Sequence, residues 1–316
     1  MRTANDIILL IGGEAISGRD DARMFSLGRG FSVGHWTNDD AKTGCTVVLP
    51  PPGNVTSCDI RGSSPASREL VLLDPIRKLT EVHAVVVTGG SAFGLAAADG
   101  VMQWLAERGI GYATPAAVVP IVPAAVIYDL AEGGADVRPG PAEGRAACDA
   151  ATPAFEIGRI GAGTGATVGK WAGRDGAVPG GLGAGRAERD GTEVFALAVV
   201  NAVGDVIGPD GSVLAGSTSP RRGFAAEVAP AEAPPGNTVL VVVTVSATLE
   251  KRDVAWLAAR ASDGVTSTIR PAHTRYDGDV SFAIAAPGPV PSRTDLDLMG
   301  HLATDAVAAA VRAAVS

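Results

Sequence analysis

The segment PPGNTVLVVVTV, residues 234–245, runs from a proline–glycine turn into the most β-branched stretch of the chain. Valine and threonine favour extended backbone, so this stretch predicts a buried strand that begins at Thr238. The residues just before it, 225–236, are rich in proline, alanine and glutamate. Such a composition predicts an exposed connector, which is the one good candidate for an internal break in the chain.

Strands and helices alternate loosely on both sides of this segment. On the C-terminal side the sequence predicts a helix over residues 250–262, a strand over 280–285 and an alanine-rich helix over 296–314. On the N-terminal side it predicts a helix over 92–108 and strands over 31–36, 44–49, 82–87 and 194–200. We expect one α/β or α+β domain, residues 1–316, with helices on the sheet faces, and a variable extension over the first 25 or so residues.

Composition and charge exclude several classes of protein. The 316 residues are 46% hydrophobic and include 41 glycines, which is enough apolar material for a sizeable core with closely packed backbones. A net charge of −8 argues against a nucleic-acid surface. Residues 7–11 are too short for a signal peptide or a membrane span, and prolines break the apolar stretch 113–130. Three scattered cysteines indicate free thiols and a cytoplasmic protein.

The Asn237–Thr238 junction is the most informative place for chemistry. A threonine at the start of a strand, after a mobile turn, can attack the carbonyl of the preceding residue. Hydrolysis of the resulting ester would leave Thr238 with a free α-amine, whose usual pKa of about 7.7–8.0 suits it to act as base for the neighbouring hydroxyl. The alternative is that Gly236-Asn237-Thr238 is an ordinary turn before a strand.

Four further places carry polar side chains that could serve such a nucleophile. Asp277 and Asp279 lie two residues apart before a strand, where mutual repulsion raises at least one pKa, although Asp-Gly-Asp is also a common turn. Lys170 ends a glycine-rich run and is either a cation near the site or a solvated side chain. Asn201 ends a buried strand as an amide donor or a turn former, and Tyr128 is a hydroxyl donor or a capping aromatic.

Other kinds of active site fit the sequence less well. Gly89-Gly90-Ser91 follows a strand, but a nucleophile elbow needs a second glycine where Phe93 stands. The same glycines have the wrong spacing for a dinucleotide loop. The four histidines, two of which (His273 and His301) could be considered as bases for Ser91, show no zinc-ligand spacing. We therefore expect neither a cofactor nor a metal.

Five segments, taken in chain order, resemble the L-aminopeptidase D-amidase/D-esterase family. They are VTGGSAFGL (87–95), VIYD (126–129), GAGTGA (161–166) with Lys170, VNAVG (200–204) and GNT (236–238). The similarity runs from about Gly30 to the C-terminus. Many members of the family carry serine as nucleophile and a Ser/Glu pair, whereas Thr238 with Asp277 and Asp279 looks most like the branch of 6-aminohexanoate-oligomer endohydrolases, which degrade nylon oligomers.

The resemblance implies a four-layer αββα sandwich, related to the N-terminal-nucleophile hydrolases and to ornithine acetyltransferases. It implies self-cleavage into an α chain, residues 1–237, and a β chain, residues 238–316. By the same match Thr238 is the nucleophile and Asn201 contributes to the oxyanion hole. Lys170, Asp277 and Asp279 then form the polar network around Thr238, and Tyr128 orients the substrate.

The expected function is hydrolysis of short peptides or of linear amides such as 6-aminohexanoate oligomers, by a homo-oligomer, tetramer-like, of αβ heterodimers. Three alternatives stay open. The first is an aminopeptidase or D-esterase/amidase acting on small peptides. The second is an acyltransferase like the ornithine acetyltransferases, whose Thr-Met-Leu junction is partly matched by Thr238-Val239-Leu240. The third is a non-catalytic binding protein, which would remain uncut.

Overall fold

The run that begins at Thr238 forms the central strand of a five-stranded sheet in the computed structural model of the protein, which describes residues 24–220 and 236–316. We call it the second sheet. Its strands lie in the spatial order Gly181–Arg189, Thr192–Asn201, Thr238–Ser246, Val280–Ala286 and Val55–Ile60. The expectations for the first 23 residues and for the connector up to residue 235 fall outside the described residues.

Pairing in the second sheet is antiparallel except at one place. Thr238–Ser246 runs antiparallel to Thr192–Asn201 and parallel to Val280–Ala286. Every residue of the central strand except Ser246 is buried. A strand covered on both faces has no reason to alternate apolar with polar side chains, and this explains the continuous β-branched run.

A second group of five strands forms the first sheet. Its strands lie in the order Ser32–Asn38, Thr43–Leu49, Val85–Thr88, Ala124–Val126 and Ser67–Arg68. Val85–Thr88 and Ala124–Val126 are parallel, and the other neighbours are antiparallel. The two sheets pack face to face, because Val48 and Val87 of the first sheet share a buried cluster with Leu197, Leu240 and other side chains of the second.

Four α-helices cover the outer faces of the two sheets. Helices α1 (Ala97–Ala106) and α2 (Pro141–Asp149) lie on the first sheet, and α3 (Lys251–Thr268) and α4 (Arg293–Ala313) lie on the second. In the central strand, Leu240 and Val242 face the first sheet, whereas Val241 and Val243 face α3 and α4. The order of layers is therefore α, β, β, α, which confirms the expected sandwich.

Glycines allow α4 to lie directly on the edge strand Gly181–Arg189. A Cβ atom at Gly183 would come within 2.1 Å of the Ala310 carbonyl oxygen, and one at Gly185 within 2.2 Å of the Ala306 carbonyl oxygen. Contacts that short do not occur, so any side chain here would push the helix off the sheet. The high glycine content thus serves close packing of backbones, as the composition predicted.

The predicted elements are present with shifted bounds. The helix predicted over 92–108 is a 3₁₀ helix, Ser91–Ala96, followed by α1, and the helix predicted over 250–262 continues to Thr268. Helix α4 begins earlier than predicted because Ser292 and Asp295 form a capping box. The strands Val55–Ile60 and Gly181–Arg189 and helix α2 were not predicted.

The remaining elements are short. The strands are Met24–Phe25, Tyr112–Ala113, Val118–Val119, Phe155–Glu156, Thr167–Val168, Val178–Pro179, Asp205–Ile207, Val213–Ala215 and Ile269–Arg270. The 3₁₀ helices are Leu70–Leu73, Gly161–Gly163, Lys170–Ala172 and Arg174–Gly176. None of the helices within 24–220 and 236–316 has the length and apolarity that crossing a bilayer requires. Cys45, Cys58 and Cys148 are free thiols, as expected.

Candidate active site

The Asn237–Thr238 peptide bond is buried where the central strand of the second sheet begins. Asn237 and Thr238 are 1% and 5% exposed. Thr238 pairs with Asn201 at the end of the neighbouring antiparallel strand, and Asn237 pairs with Asp277 just before the parallel strand on the other side. Sheet topology therefore brings the predicted nucleophile, the predicted amide donor and the predicted carboxylates to one place.

The carbonyl oxygen of Asn237 accepts two hydrogen bonds. The Thr238 hydroxyl donates to it at 2.5 Å, and the backbone N–H of Gly278 donates to it at 2.7 Å. A Cβ atom on Gly278 would lie 2.9 Å from Thr238 Oγ1 and 2.8 Å from the Ser64 carbonyl oxygen, so glycine is needed for this close approach. Gly236, two residues before Thr238, has φ +87°, a conformation that favours glycine. This carbonyl is therefore both polarised and in contact with the hydroxyl.

Asn201 is fully buried, and its partners fix its orientation. Its side-chain oxygen accepts from Lys170 Nζ at 2.8 Å and from the Thr167 N–H at 3.1 Å. Its Nδ2 then donates to the carbonyl oxygens of Gly236 at 3.2 Å and Tyr128 at 3.3 Å. The side-chain amide of Asn201 thus donates to the segment that precedes Thr238.

Lys170 has no exposed surface, so the alternative of a solvated lysine is wrong. Its ammonium group donates to both the side-chain and backbone oxygens of Asn201. Burial, with help from the charge of Arg174, lowers the pKa of Lys170 to about 7, although Glu132 and Asp277 act in the opposite direction. A lysine with this pKa exchanges its proton readily near neutral pH, as a proton relay requires.

Asp277 lies beside the Asn237–Thr238 bond, where it forms an isolated parallel β-bridge with Asn237. Its Oδ2 accepts hydrogen bonds from the backbone N–H (2.7 Å) and hydroxyl (2.6 Å) of Thr274, and its Oδ1 accepts from the Val203 N–H at 3.4 Å. Burial and the negative charge of Asp279 raise the pKa of Asp277 to about 6, although these hydrogen bonds oppose the shift. The shift agrees with the expectation for two carboxylates two residues apart.

Asp279 bridges the first residues of the central strand and His273, which the sequence offered only as a candidate base for Ser91. Its Oδ1 accepts from the Val239 N–H at 2.6 Å, and its Oδ2 lies 2.7 Å from Nδ1 of His273. The other ring nitrogen of His273 lies 3.1 Å from the Ser262 carbonyl oxygen in α3. A lone histidine six residues before an aspartate carries no sequence signal for such a pair.

A cavity of about 230 Å³ opens in front of Thr238. Its lining comprises Ser64, Ala66, Ser91, Val126, Tyr128, Gly236, Asn237, Thr238 and Tyr276. The ring of Tyr128 packs so closely on Gly236 that a Cβ atom there would lie 2.3 Å from Tyr128 Cγ. Tyr128 thus forms one wall of the cavity beside the Asn237–Thr238 bond.

Ser91 lines the same cavity with a left-handed backbone conformation, φ +54°. The turn that carries it is held from behind by Asp129, which accepts from the Gly90 N–H and the Thr43 hydroxyl, each at 2.7 Å. Burial raises the pKa of Asp129 although these bonds oppose the shift. His273, one of the two histidines considered as a base for Ser91, is instead bonded to Asp279 and the Ser262 carbonyl.

No group of three histidine, cysteine or acidic side chains in the described part of the chain is arranged to hold a metal ion. The polar groups around the Asn237–Thr238 bond are instead a hydroxyl, a lysine, two carboxylates, an amide and a backbone N–H. This set can supply a nucleophile, proton carriers and oxyanion donors.

Comparison with solved structures shows the fold. The L-aminopeptidase D-Ala-esterase/amidase of Ochrobactrum anthropi, described as a variant of the N-terminal-nucleophile hydrolase fold, matches with a TM-score of 0.68 and 19% identity. The match covers 92% of this chain and 85% of that one. A β-aminopeptidase of Burkholderia sp. matches with a TM-score of 0.67 and 20% identity, over 90% of this chain and 84% of that one.

Comparison of sequences shows the family. An uncharacterized aminopeptidase of Mycobacterium tuberculosis is 40% identical, over 90% of this chain and 91% of its own length. A 6-aminohexanoate-oligomer endohydrolase of Agromyces sp. is 31% identical, over 87% of this chain and 80% of its own length. The family model of peptidase family S58 matches residues 29–316. On this evidence the chain belongs to peptidase family S58.

Proposed function

We propose that the chain is a single catalytic domain that cleaves itself between Asn237 and Thr238, and that the freed Thr238 is the nucleophile of an amide hydrolase. Membership of a peptidase family supports hydrolysis of amide bonds. The observation that carries the finer proposal is the pair of donors, the Thr238 hydroxyl and the Gly278 N–H, on the Asn237 carbonyl oxygen. The products are an α chain of residues 1–237 and a β chain of residues 238–316.

Self-cleavage proceeds by an N-to-O acyl shift. Thr238 Oγ1 attacks the Asn237 carbonyl carbon, and negative charge develops on the carbonyl oxygen, where Gly278 already donates. The C–N bond then breaks, its nitrogen takes up the proton that leaves the hydroxyl, and an ester joins Asn237 to Oγ1. Water hydrolyses that ester, which releases the Asn237 carboxylate and restores the Thr238 hydroxyl.

Turnover uses the freed Thr238 together with Asn201, Lys170 and Asp277. The new α-amine of Thr238 accepts the hydroxyl proton, since its usual pKa of about 7.7–8.0 keeps part of it neutral near pH 7. Asn201 Nδ2 donates to the Gly236 carbonyl in the uncut chain, and a substrate oxyanion takes that position once the Gly236–Asn237 end is released. Lys170 keeps Asn201 in this orientation and, with Asp277, exchanges protons near the physiological range.

Short peptides are the first substrate class that we propose. The aminopeptidase of Mycobacterium tuberculosis supports it at 40% identity. Linear amides such as 6-aminohexanoate oligomers are the second class, supported by the endohydrolase of Agromyces sp. and by the Thr238–Asp277–Asp279 combination. Hydrolysis of a peptide panel and of 6-aminohexanoate oligomers, followed by mass spectrometry of the products, separates the two.

The test of self-cleavage is intact mass spectrometry of the purified protein with N-terminal sequencing of the smaller piece. Wild type should give a fragment that begins at Thr238. Thr238→Ala should remain uncut and inactive, whereas Thr238→Ser keeps a hydroxyl and should still be cut. Thr244→Ala is the matched control, because Thr244 is buried on the same strand and its hydroxyl donates only to the Leu27 carbonyl. A wild-type enzyme that is fully active as one uncut polypeptide, or a Thr238→Ala variant that still splits, would refute the proposal.

A further inference from the structure

His273 faces an acceptor at each of its two ring nitrogens. Nδ1 lies 2.7 Å from the Asp279 carboxylate and Nε2 lies 3.1 Å from the Ser262 carbonyl oxygen, which can only accept. A neutral imidazole carries one N–H, so beside an ionised Asp279, which can only accept, both bonds are satisfied together only when both ring nitrogens are protonated. The geometry therefore calls for a positively charged His273 beside a negatively charged Asp279.

The surroundings of His273 favour that charge. Burial disfavours the imidazolium, but the hydrogen bond and charge of Asp279, together with the Ser262 carbonyl, outweigh it and raise the pKa of His273 above its usual value. Arg61 acts in the opposite direction, and Arg61 forms its own ion pair with Asp59. Asp277 is the other carboxylate that interacts with Asp279.

The same carboxylate is close to the nitrogen that self-cleavage would release. Asp279 Oδ1 is 2.6 Å from the Val239 nitrogen, so it lies no farther than about 6.5 Å from the Thr238 nitrogen one residue earlier. Solvent screens charges only weakly here, because Thr238 and Asp279 are 5% and 3% exposed. A bare carboxylate at this distance would stabilise an ammonium group and so deprive the nucleophile of its base.

We propose that His273 is a positioning residue that acts through Asp279: its imidazolium neutralises the Asp279 carboxylate and thereby keeps the α-amine of Thr238 in the neutral form that accepts the hydroxyl proton. This inference rests on the proposed function, since it requires Thr238 to be an amino terminus. It also gives Asp279 a defined orientation, because one oxygen is held by His273 while the other holds the Val239 N–H.

The variant that tests it is His273→Asn. His273 has φ +52°, and asparagine is among the residues that best tolerate this left-handed conformation while retaining an N–H donor. Removing the positive charge should raise the pKa of the α-amine, so the acidic limb of the kcat/KM profile should move upward by roughly one pH unit. Below the limb kcat/KM should fall about tenfold, and above it the variant should approach wild type.

Two further proteins make the test specific. In the double variant His273→Asn/Asp279→Asn the carboxylate that His273 neutralises is also removed, so the acidic limb should return toward the wild-type position. His83→Asn is the matched control, because His83 is also half-buried and accepts a hydrogen bond from the Ile121 N–H, yet it lines a different cavity. Its profile should coincide with that of wild type.

The outcomes are distinguishable. A His273→Asn enzyme that loses the same factor of activity at every pH, or whose limb does not move, overturns the inference, and so does a double variant whose limb stays shifted. Should His273→Asn fail to fold, ¹⁵N NMR of the imidazole in mature wild type decides: a doubly protonated ring at pH 7 supports the inference and a neutral ring overturns it. An uncut wild-type chain is a different result, because it contradicts the proposed function itself.

Discussion

Replacing Gly278 by alanine should slow self-cleavage about 100-fold or more without unfolding the protein. The added Cβ would stand 2.9 Å from Thr238 Oγ1 and 2.8 Å from the Ser64 carbonyl oxygen, both about 0.5 Å closer than ordinary contacts. Neither neighbour can move aside freely, since Thr238 begins the central strand and the Ser64 N–H is bonded to the Asp277 carbonyl. The 2.7 Å bond from Gly278 to the Asn237 carbonyl must therefore lengthen.

The magnitude follows from these two displacements. Losing one oxyanion donor costs roughly 10²–10³ in rate, and misplacing a reacting atom by about 1 Å costs about 10². The assay is the fraction of cut chain against time after synthesis, followed by denaturing gel and intact mass. Gly134→Ala is the control, because a Cβ atom at Gly134 meets nothing within 4 Å. If Gly278→Ala is cut at the wild-type rate, the assignment of the Gly278 N–H as the oxyanion donor is wrong.

Two further predictions concern the groups around Asn201. In an uncut Thr238→Ala background, Lys170→Met should raise the free energy of unfolding at pH 6. Folding lowers the pKa of Lys170 from 10.5 to about 7, so the protonated lysine destabilises the folded state by roughly 4–5 kcal/mol. The variant removes this cost but loses the hydrogen bonds of the lysine, which contribute about 1–3 kcal/mol. The gain in stability should shrink as pH rises from 7 to 10.5, because in that range the lysine is protonated in the unfolded chain only. Urea titrations at pH 6 and 9 measure the gain, and an equal gain at both contradicts the burial argument. Asn201→Ala should lower kcat by roughly 10²–10³ with little change in KM; steady-state kinetics test this, and a change in KM alone would exclude an oxyanion role.

The central strand and its site were predictable because local signals and topology agree there. The β-branched run from Thr238 specifies a buried strand whatever surrounds it. Asn201 ends one buried strand and Thr238 begins another, so an antiparallel pair places them side by side. The raised pKa of Asp277 was predictable only in part, since its spacing from Asp279 brings two like charges together, whereas the burial that contributes most to the shift has no signal in the spacing.

Other features depend on contacts that no local pattern encodes. Gly181–Arg189 begins with alternating glycines, which have no strand preference, and it is a strand because α4 and its neighbour in the sheet hold it there. Lys170 follows a flexible glycine-rich run, and only the arrangement of Asn201 around its ammonium group distinguishes a buried lysine from a solvated one. His273 meets Asp279 through the fold of the loop between α3 and the last strand.

The spatial order of the second sheet determines what a cut at Asn237 can do to the molecule. The two strands that follow the cut, Thr238–Ser246 and Val280–Ala286, lie between Thr192–Asn201 on one side and Val55–Ile60 on the other, both of which precede it. Scission therefore creates two new termini without exposing a single unpaired edge. The strands of residues 238–316 stay hydrogen-bonded on both sides to strands of residues 1–237. The two chains should therefore co-purify as one complex and separate only in denaturant.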